Sequence, residues 1–257
     1  MINIDNLKFD FNPFPYGIAE NVIDNDIYNE LTNEFPDIKS LTVSKEKNDQ
    51  IKFKKFSLSS KNNKDLFYKT VNETKILKKL INYFLSYKFK KYLINTLEKN
   101  YINFGINIQK PSLKTSLKNT LHPFAPSFLT SKFQDVEIYI ELSSIPSDNG
   151  MIKPHTDSQH KLASIVIPVT SVNWPDKYIA GTNFLEPLDK KKTFNFVNRT
   201  LEFKETKIIN TIPFKRNQFL IFLKTYNSLH SVGPIQHPNK NIFRNSLTLT
   251  VEKKIKI

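Results

Sequence analysis

The feature that most constrains this chain is the run of short strand-like segments that follows residue 132. Val136, Ile138, Ile140 and Leu142 alternate with Glu137, Tyr139 and Glu141, which is the period-two signature of a strand with one buried face. LASIVIPV at 162–169 is a nearly continuous apolar run bounded by polar residues. TNFLEP at 182–187, TFNFV at 193–197, LEF at 201–203, NQFLIFL at 217–223 and NSLTLTV at 245–251 read as further strands. No segment of helical length interrupts them. Many short strands joined by turns predict a double-sheet jelly roll or a barrel, that is, a double-stranded β-helix core over about 131–257.

The first half reads differently. Ile27, Leu31 and Phe35 recur at helical spacing, with Asp24 or Asp26 able to cap the start and Pro36 to end it. Phe67 with Val71, then Ile76, Leu80, Tyr83 and Phe84, continue helical spacing through 64–100, and lysines cover the other face. Residues 105–130 hold Pro111, Pro123 and Pro126 and read as loop. The expected fold class is therefore α+β, mainly β. A helical N-terminal layer, about 1–130, packs on the β core, 131–257, as one integrated domain.

Composition closes off several chemistries. There is no cysteine, so disulfides, thiolate metal sites, iron–sulfur clusters and cysteine nucleophiles are excluded. Any metal must be held by His, Asp or Glu. No apolar run is long enough for a membrane span, and the opening MINIDNLKFDFNPFPYG has no apolar signal region, so a cytoplasmic location is expected. The net charge of +14 is uneven: residues 51–120 hold 16 basic against 3 acidic side chains. That block suits an anionic partner, but it also follows from a Lys- and Asn-rich composition. Arg, the usual reader of nucleic acid, occurs only at 199, 216 and 244.

Three pieces carry chemistry. His155 and Asp157, at i and i+2 of an extended segment, point to one side and can take adjacent positions on a metal. By itself this H-x-D is a weak signal, equally read as a loop histidine near an aspartate. The second piece is His230, after the apolar strand 217–223. Two imidazoles and one carboxylate form the facial set used for non-heme iron(II). The third is the strand beginning at Arg244, where Arg244, Ser246, Thr248 and Thr250 share one face. A core strand ending in Arg is costly unless an anion pairs with it, and a dicarboxylate cosubstrate would do so through Arg244 and the Ser246 hydroxyl.

H-x-D, a distal His and a following Arg, in this order, resemble the 2-oxoglutarate (2OG)/Fe(II)-dependent dioxygenase superfamily, nearest to its prolyl-4-hydroxylase-like branch. HKLASIVIPV, GTNF at 181–184, QFLIF before His230 and PFPYGIAENVIDNDIYNELTNEFP near the start support it. The resemblance implies Fe(II) on His155, Asp157 and His230, 2OG held by Arg244 and Ser246, and dioxygen as oxidant. It implies hydroxylation of an amino acid, peptide, sugar or small metabolite. Tyr139 and Asn183 are further candidates for contact with the cosubstrate. The pattern departs from the family's usual one in the Gln236–Asn241 insertion and in the wide spacing of Tyr139 from His155. Thr250 stands where the nucleic-acid-dealkylating branch has a second Arg, which argues against nucleic acid. A non-catalytic ligand-binding barrel and a basic interaction module remain open. His122, His160 and His237 read as structural or surface residues, and Trp174 and Tyr178 lie in a loop that either overhangs the pocket or simply packs.

Overall fold

The computed structural model of the chain describes residues 2–43, 55–105, 136–170, 174, 180–239 and 241–253. It is a mixed helix-and-sheet structure, mainly strands, organised as two antiparallel sheets. Strands are β1 (Lys8–Asp10), β2 (Tyr16–Glu20), β3 (Phe56–Ser59), β4 (Val136–Pro146), β5 (Ile152–His155), β6 (Lys161–Pro168), β7 (Thr182–Pro187), β8 (Thr206–Ile212), β9 (Gln218–Leu223), β10 (His230–Val232) and β11 (Phe243–Lys253). The larger sheet has the order β1-β2-β9-β6-β11-β4-β3 and the smaller β5-β10-β7-β8.

The residues explain this layering. Along β11, Leu247, Leu249 and Val251 point to one side with Ile138, Ile140 and Leu142 of β4, and all six are buried in one cluster. The same cluster takes in apolar residues of the helices α1 (Asn25–Asn33), α3 (Lys64–Glu73), α4 (Lys75–Leu85) and α5 (Tyr87–Lys99), among them Leu31, Phe67, Leu80 and Leu93. Ile38 of α2 (Ile38–Val43) joins them. This face of the large sheet is thus dry and covered by helices, and its alternating apolar residues are what burial requires. Asp24 caps α1, accepting from the backbone N–H of Asp26 and Ile27, so of the two candidate caps it is Asp24 that acts. Tyr28 anchors α1 to the sheet: its hydroxyl donates to the Pro168 carbonyl at 2.8 Å and accepts from Thr170 N–H at 3.1 Å.

The other face of the large sheet looks toward the small one. Phe14, Tyr16, Leu220 and Phe222 meet Phe184 and Ile212 of the small sheet in a second apolar cluster that holds the two together at one end. Farther along, polar side chains replace apolar ones and a cavity of about 370 Å³ opens between the sheets.

Five of the expected strands appear near their expected places. Two do not. Residues 193–197 bend away from any sheet, because Phe194 and Val197 face solvent while Asn195 is buried and folds the chain back on itself, bonding both Arg199 N–H and Arg199 C=O. Residues 201–203 lead into a 3-10 turn, Phe203–Glu205. Three strands also arise in the first half: β1 and β2 extend the large sheet beyond β9, and β3 forms its opposite edge. The Pro-rich stretch 105–130, with His122, lies outside the described residues from 106 onward, as does Tyr178.

Candidate metal centre

His155 ends β5 and His230 starts β10, and the antiparallel register places them directly opposite each other. Cross-strand neighbours approach closely, and the two imidazole centroids are 4.3 Å apart. Asp157 lies two residues past His155 with φ of 69°, a left-handed conformation that Asp tolerates better than most residues. This turn swings its carboxylate back: Oδ1 is 3.5 Å from His155 Nε2 and Oδ2 is 3.8 Å from His230 Nε2. One ligand atom from each residue falls within 4.8 Å of the others.

The surrounding hydrogen bonds select which imidazole nitrogens are available. His155 Nδ1 is 2.9 Å from the Lys153 carbonyl and His230 Nδ1 is 2.9 Å from the Ser228 carbonyl. A carbonyl can only accept, so each Nδ1 carries the proton and each Nε2 presents its lone pair toward Asp157. Fixing the tautomer in this way is how metal-binding histidines are prepared. Burial, and then the neighbouring His155, push the His230 imidazole down to about 3, so it is neutral near pH 7. Burial opposes ionisation of Asp157, but His155, His230 and Lys161 outweigh it and hold the carboxyl well below its ordinary value. The donor set is thus two imidazoles that present Nε2 and one carboxylate, which fits an iron(II) held on one face.

The Asp157 carboxylate is held from behind. Ser164 of β6 donates to Oδ2 at 2.8 Å and Lys161 donates to Oδ1 at 2.7 Å. Thr156, fully buried, donates its hydroxyl to the Asn195 carbonyl, and its N–H donates to Asn198 Oδ1 at 3.2 Å. The bend at 193–198 that replaces the expected strand therefore clamps the H-x-D segment. Sequence reading missed Ser164, Lys161, Asn195 and Asn198. The run of apolar residues around Ser164 hid it, although a lone hydroxyl in a buried strand calls for a partner.

Arg244 lies in the same cavity, only 3 % exposed. Its Nε donates to the Ala180 carbonyl at 2.9 Å, Nη2 is 3.5 Å from Thr182 Oγ1, and the guanidinium lies 3.9 Å from the centre of the Phe214 ring. Among the described residues no carboxylate pairs with it. Burial accordingly pushes its pKa down to about 9. Ser246, two residues on, faces the same cavity and shares a 2.9 Å hydrogen bond with Ser143.

The other two candidates do not join Arg244. Asn183 faces away from the cavity: with Thr182 pointing in, strand alternation turns Asn183 outward, where it accepts from the Thr211 hydroxyl at 2.9 Å. Tyr139 does line the cavity, but its register partner is Thr250, about 20 Å along β11 from Arg244. Its hydroxyl is committed to Glu137 at 2.5 Å, a bond that raises its pKa to about 12. His160 is exposed and His237 half-buried, and neither lines the cavity. Trp174 packs edge-on against Phe214 at 5.5 Å.

No protein-family model matches the chain, and no curated protein matches it. Solved structures do. A prolyl 4-hydroxylase from Phytophthora capsici aligns over 93% of this chain and 58% of its own, at 12% identity and a TM-score of 0.50. This chain thus spans little more than half the length of that protein, and shares its fold. A Pseudomonas putida prolyl-4-hydroxylase aligns over 93% of this chain and 92% of its own, at 11% identity and a TM-score of 0.43. A viral collagen prolyl hydroxylase from Paramecium Bursaria Chlorella virus-1, in its 2OG complex, aligns over 93% and 96%, at 10% identity and a TM-score of 0.41. No helix among the described residues is long and apolar enough to cross a membrane.

Proposed function

We propose that this protein is an Fe(II)- and 2OG-dependent oxygenase of the prolyl-4-hydroxylase-like branch that hydroxylates an unactivated C–H bond. The observation that carries the reading is a buried guanidinium with no described counter-ion, in one cavity with two Nε2-presenting histidines and a carboxylate. An ordinary binding barrel gains nothing from an Arg held at depth with no carboxylate beside it, because its remaining contacts at best offset the desolvation of the charge. A dicarboxylate relieves that cost: one end reaches Arg244 and Ser246, leaving the keto-acid end for the metal.

In this reading the two sheets are the layers of a double-stranded β-helix, and residues 1–130 and 131–257 form one integrated domain. His155, Asp157 and His230 hold iron(II). The carbonyls of Lys153 and Ser228 keep both imidazoles in one tautomer, and Ser164 and Lys161 fix the carboxylate. Phe222 packs its ring 4.4 Å from that of His230, an apolar wall on that side of the triad. When bound, iron, 2OG and dioxygen supply the oxidation: one oxygen atom enters the substrate C–H bond, the other enters succinate, and carbon dioxide leaves. The chain contributes position and a dry, preorganised pocket. The substrate is a small molecule or peptide, and the compartment is the cytoplasm.

Purified protein supplied with iron(II), ascorbate and 2OG is expected to release succinate in an oxygen-dependent manner. Absence of both succinate and 2OG binding would sink the reading.

A further inference from the structure

Beyond the triad from Arg244, the cavity changes character. Lys55 and Lys61 flank β3, Tyr139 and Glu141 project from β4, and Thr250 and Glu252 from β11; all six line the cavity. Their charges are matched. Lys55 Nζ donates to Glu141 Oε1 at 2.6 Å, and Lys61 Nζ donates to both oxygens of Glu252, at 2.9 and 2.7 Å. Glu252 also stands opposite Lys161 in the β6–β11 register, and Lys161 bonds Asp157. The charged end is therefore continuous with the triad.

Partial burial decides what such a lining accepts. The side chains of Glu141 and Glu252 are 26% and 12% exposed and those of Lys55 and Lys61 30% and 48%, so each pair is partly buried at its carboxylate and opens to solvent on the lysine side. A ligand of single charge would break one pair and strand a half-buried ion, which is unfavourable. A neutral ligand would meet four charges already satisfied by one another. A ligand bearing one ammonium and one carboxylate inserts between the members of a pair and gives each a new partner, so neither side chain is left unpaired and charge-assisted hydrogen bonds are gained. The space is also small. About 370 Å³ serves both the Arg244 end and this one, near the lower bound of roughly 300–1,000 Å³ for small-molecule sites.

We infer that this end of the cavity is a subsite for a small zwitterion, a free α-amino acid, with Glu141 and Glu252 receiving the ammonium and Lys55 and Lys61 the carboxylate. That the bound amino acid is the substrate rests on the oxygenase reading; that it binds does not.

The test is anaerobic calorimetric titration of the full chain, loaded with iron(II) and 2OG, by each of the twenty L-amino acids. For any that binds, the matching deaminated acid and decarboxylated amine are titrated too. At least one amino acid is expected to bind at least tenfold more tightly than either analogue. Lys55→Met/Glu141→Gln, which removes a pair without stranding a charge, weakens it tenfold or more, whereas Lys190→Gln, on an exposed turn, leaves it unchanged. The same amino acid accelerates succinate release. No binding by any amino acid in protein that still binds 2OG would overturn the inference, as would equal binding of the analogues or an unaffected double variant. Binding of 2OG and succinate release without added amino acid test the oxygenase reading separately. If those fail while the amino acid binds, the subsite stands and the oxygenase reading falls.

Discussion

Replacing Arg244 by Met separates what this residue does for the fold from what it does for a ligand. Burial holds its pKa at about 9 against an ordinary 12.5. At about 1.4 kcal/mol per pH unit, the buried charge costs on the order of 5 kcal/mol. Against this stand the bond to Ala180, about 1.5–3 kcal/mol for a charged donor, and the Phe214 contact at 3.9 Å, about 2 kcal/mol when desolvated. The balance is near zero, and Met refills most of the apolar stem. The ligand-free variant should therefore match wild type within about 1 kcal/mol, unlike an ordinary buried truncation of about 2–5 kcal/mol. With iron(II) and 2OG at a hundred times its Kd, wild type gains about 2.7 kcal/mol, which raises Tm by roughly 5–10 °C. Losing a buried charge-assisted contact weakens affinity by about 2–5 kcal/mol, so the variant should gain under about 1 kcal/mol at the same concentration. Anaerobic thermal melts with and without 2OG read both quantities. A variant that is several kcal/mol less stable without ligand, yet keeps the full 2OG-induced shift, would refute the reasoning.

Other outcomes follow from the same geometry. His155→Ala and Asp157→Ala should each abolish stoichiometric iron(II) loading in equilibrium dialysis, while Arg244→Met retains it. Gly233, at φ of 64° directly after β10, has no room for a Cβ, which would lie 2.5 Å from Ile235 N and 2.8 Å from the Gly150 carbonyl. Gly233→Ala should cost about 1–3 kcal/mol in denaturant unfolding and weaken iron binding by disturbing His230. For Tyr139, the Glu137 bond favours the neutral phenol, so its folded pKa of about 12 lies above the unfolded value of 10. Its contribution to stability is fully present below pH 10 and is lost as pH rises toward 12. Glu137→Gln should bring the Tyr139 phenolate transition down, measured as the absorbance difference from Tyr139→Phe.

The parts of the structure legible in the sequence are those where burial on one face imposes a pattern. β4, β6, β9 and β11 announce themselves because their apolar residues must meet the helices or the other sheet. His155, Asp157 and His230 were legible as residue types in order, and the register of β5 on β10 is what brings the two histidines together. β8 was not legible: it is a sheet-edge strand whose Ile208 and Ile209 are exposed and whose one buried apolar residue, Ile212, gives no alternation to read. Residues 193–197 misled for the converse reason, since their apolar positions face solvent and a buried Asn195 sets the turn. Where Asn183 points was not legible, because strand spacing gives alternation but not which parity faces inward. The charge pairs at Lys55 and Lys61 depend on β3 joining the sheet edge, a long-range pairing that local sequence does not encode.

The central claim is that iron(II) and 2OG meet at His155, Asp157 and His230 with Arg244 holding the far carboxylate. Anaerobic absorption spectroscopy tests it most directly. Adding iron(II) and then 2OG should produce a weak visible metal-to-ligand charge-transfer band in wild-type protein. The band should be absent from Asp157→Ala and should need far more 2OG in Arg244→Met. Iron binding with no band at any 2OG concentration, or a band unaffected by both substitutions, would contradict the account.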